Sequence, residues 1–348
     1  MIPYWLIFGY IFFAALLSNS SATGREPSTM PLLVGVAVIA AMIGLRFEVG
    51  ADWETYEVLY RLAGRFDLLR ALEIGDPGYQ LINWVGQQLG FGLWLVDLVC
   101  ALIFSWGLYR FARAQADPWL ALVVAIPYLV IVVAMGYTRQ SVAIGITMAG
   151  LASLQRGGSI PKFAIYIVFA ALFHKTAVVV LPLVVFAADR NRLLNMLAGI
   201  ATIVLLYDLF LADSVDQFVT NYIEAEYNSQ GAAIRVAMNL VPATIFLAAR
   251  SRFRYLTLDD RIWRNYSLAA WLFLAMLLVL PSSTAVDRLA LYVIPLQLAI
   301  LSRVSRAFDS SGVLRNAVMT YTALVLFVWL NFAKHAHAWL PYQFYPLA

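Results

Sequence analysis

Arg46, Arg139, Arg235, Arg288 and His174 each border or interrupt a long apolar run, and they are the side chains best suited to chemistry in this 348-residue chain. A guanidinium fork donates paired, charge-assisted hydrogen bonds to phosphate, so several such groups in one place would hold an anion. Arg139 stands out because its link, GYTRQS, holds no other charge and the chain is uncharged from 118 to 138. His174, in LFHKTAV, is the candidate general base, since a neutral imidazole can accept the proton of an attacking hydroxyl. Asp52, in GADWETY, is the alternative base. Glu48, Tyr56, Tyr79, Gln140, Asp287 and Tyr292 complete the set as candidate sugar and loop contacts. Asp287 directly precedes Arg288 and would orient it or neutralise it. Plainer roles compete with each of these. A lone Arg at a helix end commonly snorkels, and a His at a helix terminus commonly only hydrogen-bonds. Trp53, Tyr56, Tyr79 and Trp339 also fit an interfacial aromatic belt. His335 and His337 form an H-x-H pair without the third and fourth ligands a metal needs, so neither a metal nor a cofactor is expected.

The elements that must position these groups follow from composition. The chain is 62% hydrophobic and 13% charged, with a mean hydropathy of +0.78. Globular domains carry about a quarter charged residues, so a soluble domain of this length could not cover its surface. That excludes a water-soluble enzyme, a disordered chain and a nucleic-acid binder, and leaves an all-α polytopic membrane protein forming one domain over 1–348. Apolar segments fall near 3–17, 31–45, 91–109, 118–135, 140–154, 161–173, 176–188, 193–211, 235–249, 265–280, 289–302 and 316–333, which predicts about twelve spans, within a range of 10–14. The start, MIPYWLIF, lacks a basic region and reads as a first span rather than a signal peptide. Cys100 is the single cysteine, so no intrachain disulfide forms.

Charge placement orients the bundle. With the first residue outside and links alternating, the inner links hold fifteen basic and six acidic residues, +9, and the outer links nine basic and twelve acidic, −3. That is the excess of inner Lys and Arg expected of a membrane protein. Asp97 and Asp208 fall within spans. The long outer links, 46–90 and 212–234, carry eleven of the twelve outer acids; ADWETYEVLYRLAGRFDLLRALEI has helical spacing and predicts one or two amphipathic helices. Every candidate residue lies at an outer span end, where the orientation rule gives no reason for an Arg.

GLRFEVGADWETY at 44–56, DPGY at 76–79, RQ at 139–140, FHKT at 173–176, DR at 287–288 and a YP-containing tail resemble the EpsG family, Wzy-like proteins of bacterial exopolysaccharide gene clusters. The resemblance runs in order from Gly44 to Pro346, while the link 212–234 carries no matching signature. It implies a GT-C-like bundle that polymerises lipid-linked repeat units, moving a glycan from undecaprenyl diphosphate onto another lipid-linked unit, with Arg139 and Arg288 as the leading diphosphate ligands and Arg46 and Arg235 in support. It also implies a bacterial inner membrane, the periplasmic face, the lipid bilayer and other exopolysaccharide assembly proteins as surroundings. Single-addition GT-C transferases or ligases share the anion-binding need and stay open, separable by product length. A flippase or transporter would place polar residues through the bundle midplane, where only Asp97 and Asp208 are expected. An acyltransferase would need access from the inner side.

Overall fold

The computed structural model describes residues 1–18, 29–188, 231–280, 283–308 and 311–348, with the three positions 197, 200 and 204 between. The segment 193–211 apart from those positions, the link 212–230, and the charges Arg25, Glu26, Asp189, Arg190, Arg192, Asp208 and Asp309 lie outside the described residues. The described chain is helical apart from one isolated antiparallel bridge between Arg46 and Phe344.

Helices begin where Pro or a capping side chain allows. α1 (Ile2–Leu17) carries a proline in its first turn, as does α7 (Pro118–Ala125), where Asp117 accepts from Leu120 N at 3.0 Å. Ser159 does the same for α9 (Ile160–Ala171), and Asp67 for α4 (Leu68–Glu73). Such caps satisfy backbone donors that the first turn leaves open. α7 runs on as a π-helix, Ile126–Ala134, and α8 is Thr138–Gln155. Both are buried on nearly every side and form the centre of the bundle, as expected of segments apolar all round. α2 (Thr29–Gly44) and α6 (Leu93–Ala112) pack against them. α6 crosses α8 at Gly107 and Gly145, where a Cβ on Gly107 would run into the Gly145 carbonyl. Small residues at such a crossing let backbones approach closely.

The remaining helices are α3 (Trp53–Ala63), α5 (Pro77–Gln88), α10 (Val180–Val185), α11 (Ala232–Ala249), α12 (Thr257–Val279), α13 (Ser283–Ala290), α14 (Pro295–Leu301), α15 (Val304–Phe308) and α16 (Val313–Phe332). A 3₁₀ turn, Lys175–Val179, leads into α10. The stretch 51–74 therefore holds two helices, α3 and α4, within the one or two expected there, and α5 follows in the same link. α3 buries Tyr56, Tyr60 and Ala63, three and four apart, on one face.

Four described helices are long and apolar enough to cross a membrane: Leu93–Ala112, Ala232–Phe253, Thr257–Val279 and Val313–Phe332. A fifth results if Ser283–Val293 and Pro295–Leu301, bent by 43°, count as one span. Length and composition thus give four or five spans among the described residues and do not confirm the expected twelve. Ile2–Leu17, Thr29–Gly44, Pro118–Ala134, Ile160–Ala171 and Lys175–Val185 are apolar but shorter. At 1.5 Å per residue a 16-residue helix reaches about 24 Å, short of a hydrocarbon core of about 30 Å.

Antiparallel packing sorts the links into two ends. At one end Tyr4 Oη donates to Trp339 O at 2.7 Å, Gly50 N to Ala338 O at 2.8 Å and Gly78 N to Leu172 O at 2.8 Å. At the other, Arg315 Nε meets Asp117 Oδ2 at 2.7 Å and Nη2 reaches Ala15 O at 2.5 Å.

Candidate active site

Arg139 is the second residue of α8, where the helix's exposed N–H groups add to its positive charge. Its Nη1 pairs with Asp76 Oδ2 at 2.7 Å, its guanidinium lies 5.9 Å from the Tyr56 ring centre, and its buried Nε has no hydrogen-bond partner among the described residues. Tyr56 in turn packs on Tyr79 with ring centres 5.5 Å apart. Asp76 and Asp52 occupy the N-cap positions of α5 and α3, yet neither side chain caps its own helix. Burial raises both carboxyls above the usual range, opposed at Asp76 by Arg139 and Lys175 and at Asp52 by Arg288 and Arg139.

His174 ends the link after α9 and precedes the 3₁₀ turn. Its Nδ1 lies 2.6 Å from Thr176 Oγ1 and 3.2 Å from Tyr292 Oη. Burial pushes its pKa down to about 3, and the charges of Arg139 and Arg288 push in the same direction. The imidazole is therefore neutral at physiological pH, and the Nδ1 contacts orient its ring.

Arg288 lies half-buried in α13, and its backbone oxygen accepts from Gln140 Nε2 at 2.6 Å, which ties α13 to α8. Asp287, the neighbour of Arg288, is gripped bidentately by Arg235 on α11, with Nε to Oδ1 at 2.7 Å and Nη2 to Oδ2 at 2.5 Å. Asn239 Nδ2 adds a bond to Ala290 O at 3.0 Å, so α11 holds α13 at two places.

Arg46 sits differently from its expectation as a diphosphate ligand. Its side chain is 1% exposed and its three nitrogens are taken: Nε by Val49 O, Nη1 by Ile43 O, and Nη2 by Asp97 Oδ1 and Thr138 Oγ1, both at 2.8 Å. A guanidinium so enclosed supports the site by fixing Thr138, the neighbour of Arg139. Asp97 is only five residues into α6, at the Arg46 end rather than mid-span. Glu48 is exposed at a positive φ of 52°, apart from the pairs just described. His335 and His337 are exposed, and no group of three metal-ligating side chains occurs among the described residues. Tyr79 is fully buried with its hydroxyl unpartnered among the described residues.

A family model described as the EpsG family matches residues 30–344. The chain belongs to the EpsG family. No curated protein and no solved structure matches it. The matched stretch takes in every residue of the site, from Arg46 to Tyr292, and reaches Phe344 in the tail strand that bridges Arg46. Membership suggests a polysaccharide polymerase-like, glycosyltransferase-like role for this EpsG-family chain, with a lipid-linked oligosaccharide substrate and a membrane setting, which its apolar helices also support. Asp76 and Thr176 were missed as site residues. DPGY reads as an ordinary N-cap followed by proline, and only the side chain's turning away from its own helix separates it from Asp117 or Asp67.

Proposed function

We propose that the chain polymerises bacterial exopolysaccharide, transferring a glycan from undecaprenyl diphosphate onto a lipid-linked repeat unit, in the bacterial cytoplasmic membrane with the site facing the periplasm. The observation that carries this reading is the gathering of His174, its ring oriented by Thr176, and the Arg139–Asp76 pair at one end of the bundle in a chain of the EpsG family. An acceptor hydroxyl gives its proton to His174 as its oxygen bonds to the anomeric carbon. The bond from that carbon to the diphosphate oxygen breaks, and its electron pair leaves with the lipid diphosphate. Arg139 and Arg288 stabilise the charge that builds on this leaving group, the interaction that lowers the barrier most when the donors are already in place. Asp52 is the reserve base. Arg46 and Arg235 serve by holding Thr138 and Asp287, the chain neighbours of the two binding arginines. Tyr56, Tyr79, Gln140 and Tyr292 line the approach for sugar or hold its walls, and Glu48 and Asp287 stand at its edge.

The site gathers at one end of the bundle, which favours an enzyme over a flippase. The test is purified protein with a synthetic lipid-diphosphate repeat unit, read as product length. A ladder is expected, persisting with a chelator; a single added unit would mean a transferase or ligase, and no elongation would overturn the reading. Arg139→Ala and His174→Ala, inserted normally, should each lose ladder formation by about 10²-fold or more.

A further inference from the structure

We infer that Asp76 is a positioning residue that fixes the anion-binding Arg139 and the His174 link relative to each other, an inference that rests on the polymerase reading above. Three elements meet at this carboxylate. Its Oδ2 takes Arg139 Nη1 from α8 at 2.7 Å, and the backbone amide of Lys175, next to His174, donates to it. Its own helix, α5, is sewn to the same link by Gly78 N donating to Leu172 O at 2.8 Å. The fit there is close: a Cβ on Gly78 would lie 3.1 Å from Leu172 O and 3.1 Å from the Phe173 ring.

Asp76 is 7% exposed, and as an N-cap residue it forgoes the bond to its own helix that Asp67 and Asp117 make. A buried carboxylate that gives up its local cap for two distant partners fixes the geometry between them. It engages Arg139 through Nη1, and the buried Nε is a donor without a partner among the described residues. Asp76 therefore sets the direction of the guanidinium fork without filling it. The geometry matters because a displacement of about 1 Å between a base and a binding group costs about 10²-fold in rate.

The experiment compares wild type, Asp76→Asn and Gly78→Ala in detergent. Asp76→Asn keeps the shape and removes the charge; Gly78→Ala keeps every charge and presses α5 against the link, so it serves if the first variant fails to insert. Three readouts are taken: kcat and KM for ladder formation, affinity for farnesyl diphosphate, and the ¹⁵N resonances of His174 in a His335→Gln/His337→Gln background. Both variants are expected to lose about 10- to 100-fold in kcat while farnesyl diphosphate binds within about threefold of wild type, and to shift or broaden the His174 signal. Unchanged kcat per inserted protein, or a rise in KM alone, overturns the inference. If wild type binds farnesyl diphosphate yet makes no polymer, the polymerase reading fails. The His174 resonance then decides the tie: an unchanged signal in both variants overturns it, and a shifted one supports it.

Discussion

At the residue scale, His174 makes the sharpest pH statement. An ordinary histidine titrates near 6.5, whereas burial and two arginines hold this one down to about 3. Because kcat/KM reports the free enzyme, its acid limb should fall below about pH 5 rather than near 6.5; a limb near 6.5 would remove His174 as the base. The stability sign is also set. The folded chain binds this proton less readily than the unfolded one, so the contribution is complete above about 6.5 and is lost as pH falls toward 3. Arg46 offers a second test at this scale. Arg46→Met leaves Asp97 buried without its partner and should cost about 3–5 kcal/mol, while adding Asp97→Leu should recover most of that loss. Thermal unfolding in detergent reads both. Equal stability of the single and double variants would mean the pair holds nothing.

At the element scale, the site depends on α8 presenting Arg139 at its second position while α5, α13 and the His174 link close around it. The depth of α8 is set by the glycine crossing with α6. Gly107→Ala should press a methyl group against the Gly145 carbonyl and cost about 1–3 kcal/mol, read as a lower unfolding temperature. No shift would mean the two helices part freely. Apolar runs and helical spacing made these elements legible in the sequence, and their isolation singled out Arg139 and His174 as candidates. The partners were not legible. Arg46 finds Asp97 across 51 residues and Arg235 finds Asp287 across 52, and no local pattern marks such pairs. Hydropathy records apolar runs and not helix length: α1 and α2 stop at 16 residues each, so the apolar runs outnumber the described helices long enough to cross. Asp76 stood in the DPGY motif without a role of its own, because a helix cap and a long-range tie use the same residue type at the same position.

At the scale of the whole molecule, the two ends divide the work. The end opposite the site is clasped by Arg315, which holds Asp117 and the Ala15 carbonyl. Arg315→Gln should lower the unfolding temperature while leaving farnesyl diphosphate affinity within about twofold of wild type; a large loss of affinity would show that the ends are coupled.

Trp339 joins α1 to the segment that follows α16. Its carbonyl receives the Tyr4 hydroxyl, its indole N–H donates to Ile131 O at 2.8 Å inside the π-helix, and a few residues on Phe344 bridges Arg46. Translation delivers this strap after every other element described, so α1 meets this partner only once those elements have been made. An intermediate holding Arg139, His174 and Arg288 without the strap lacks the piece that braces Arg46 and, through it, Thr138. Bracing of the candidate site is therefore the last event in the assembly of the described elements.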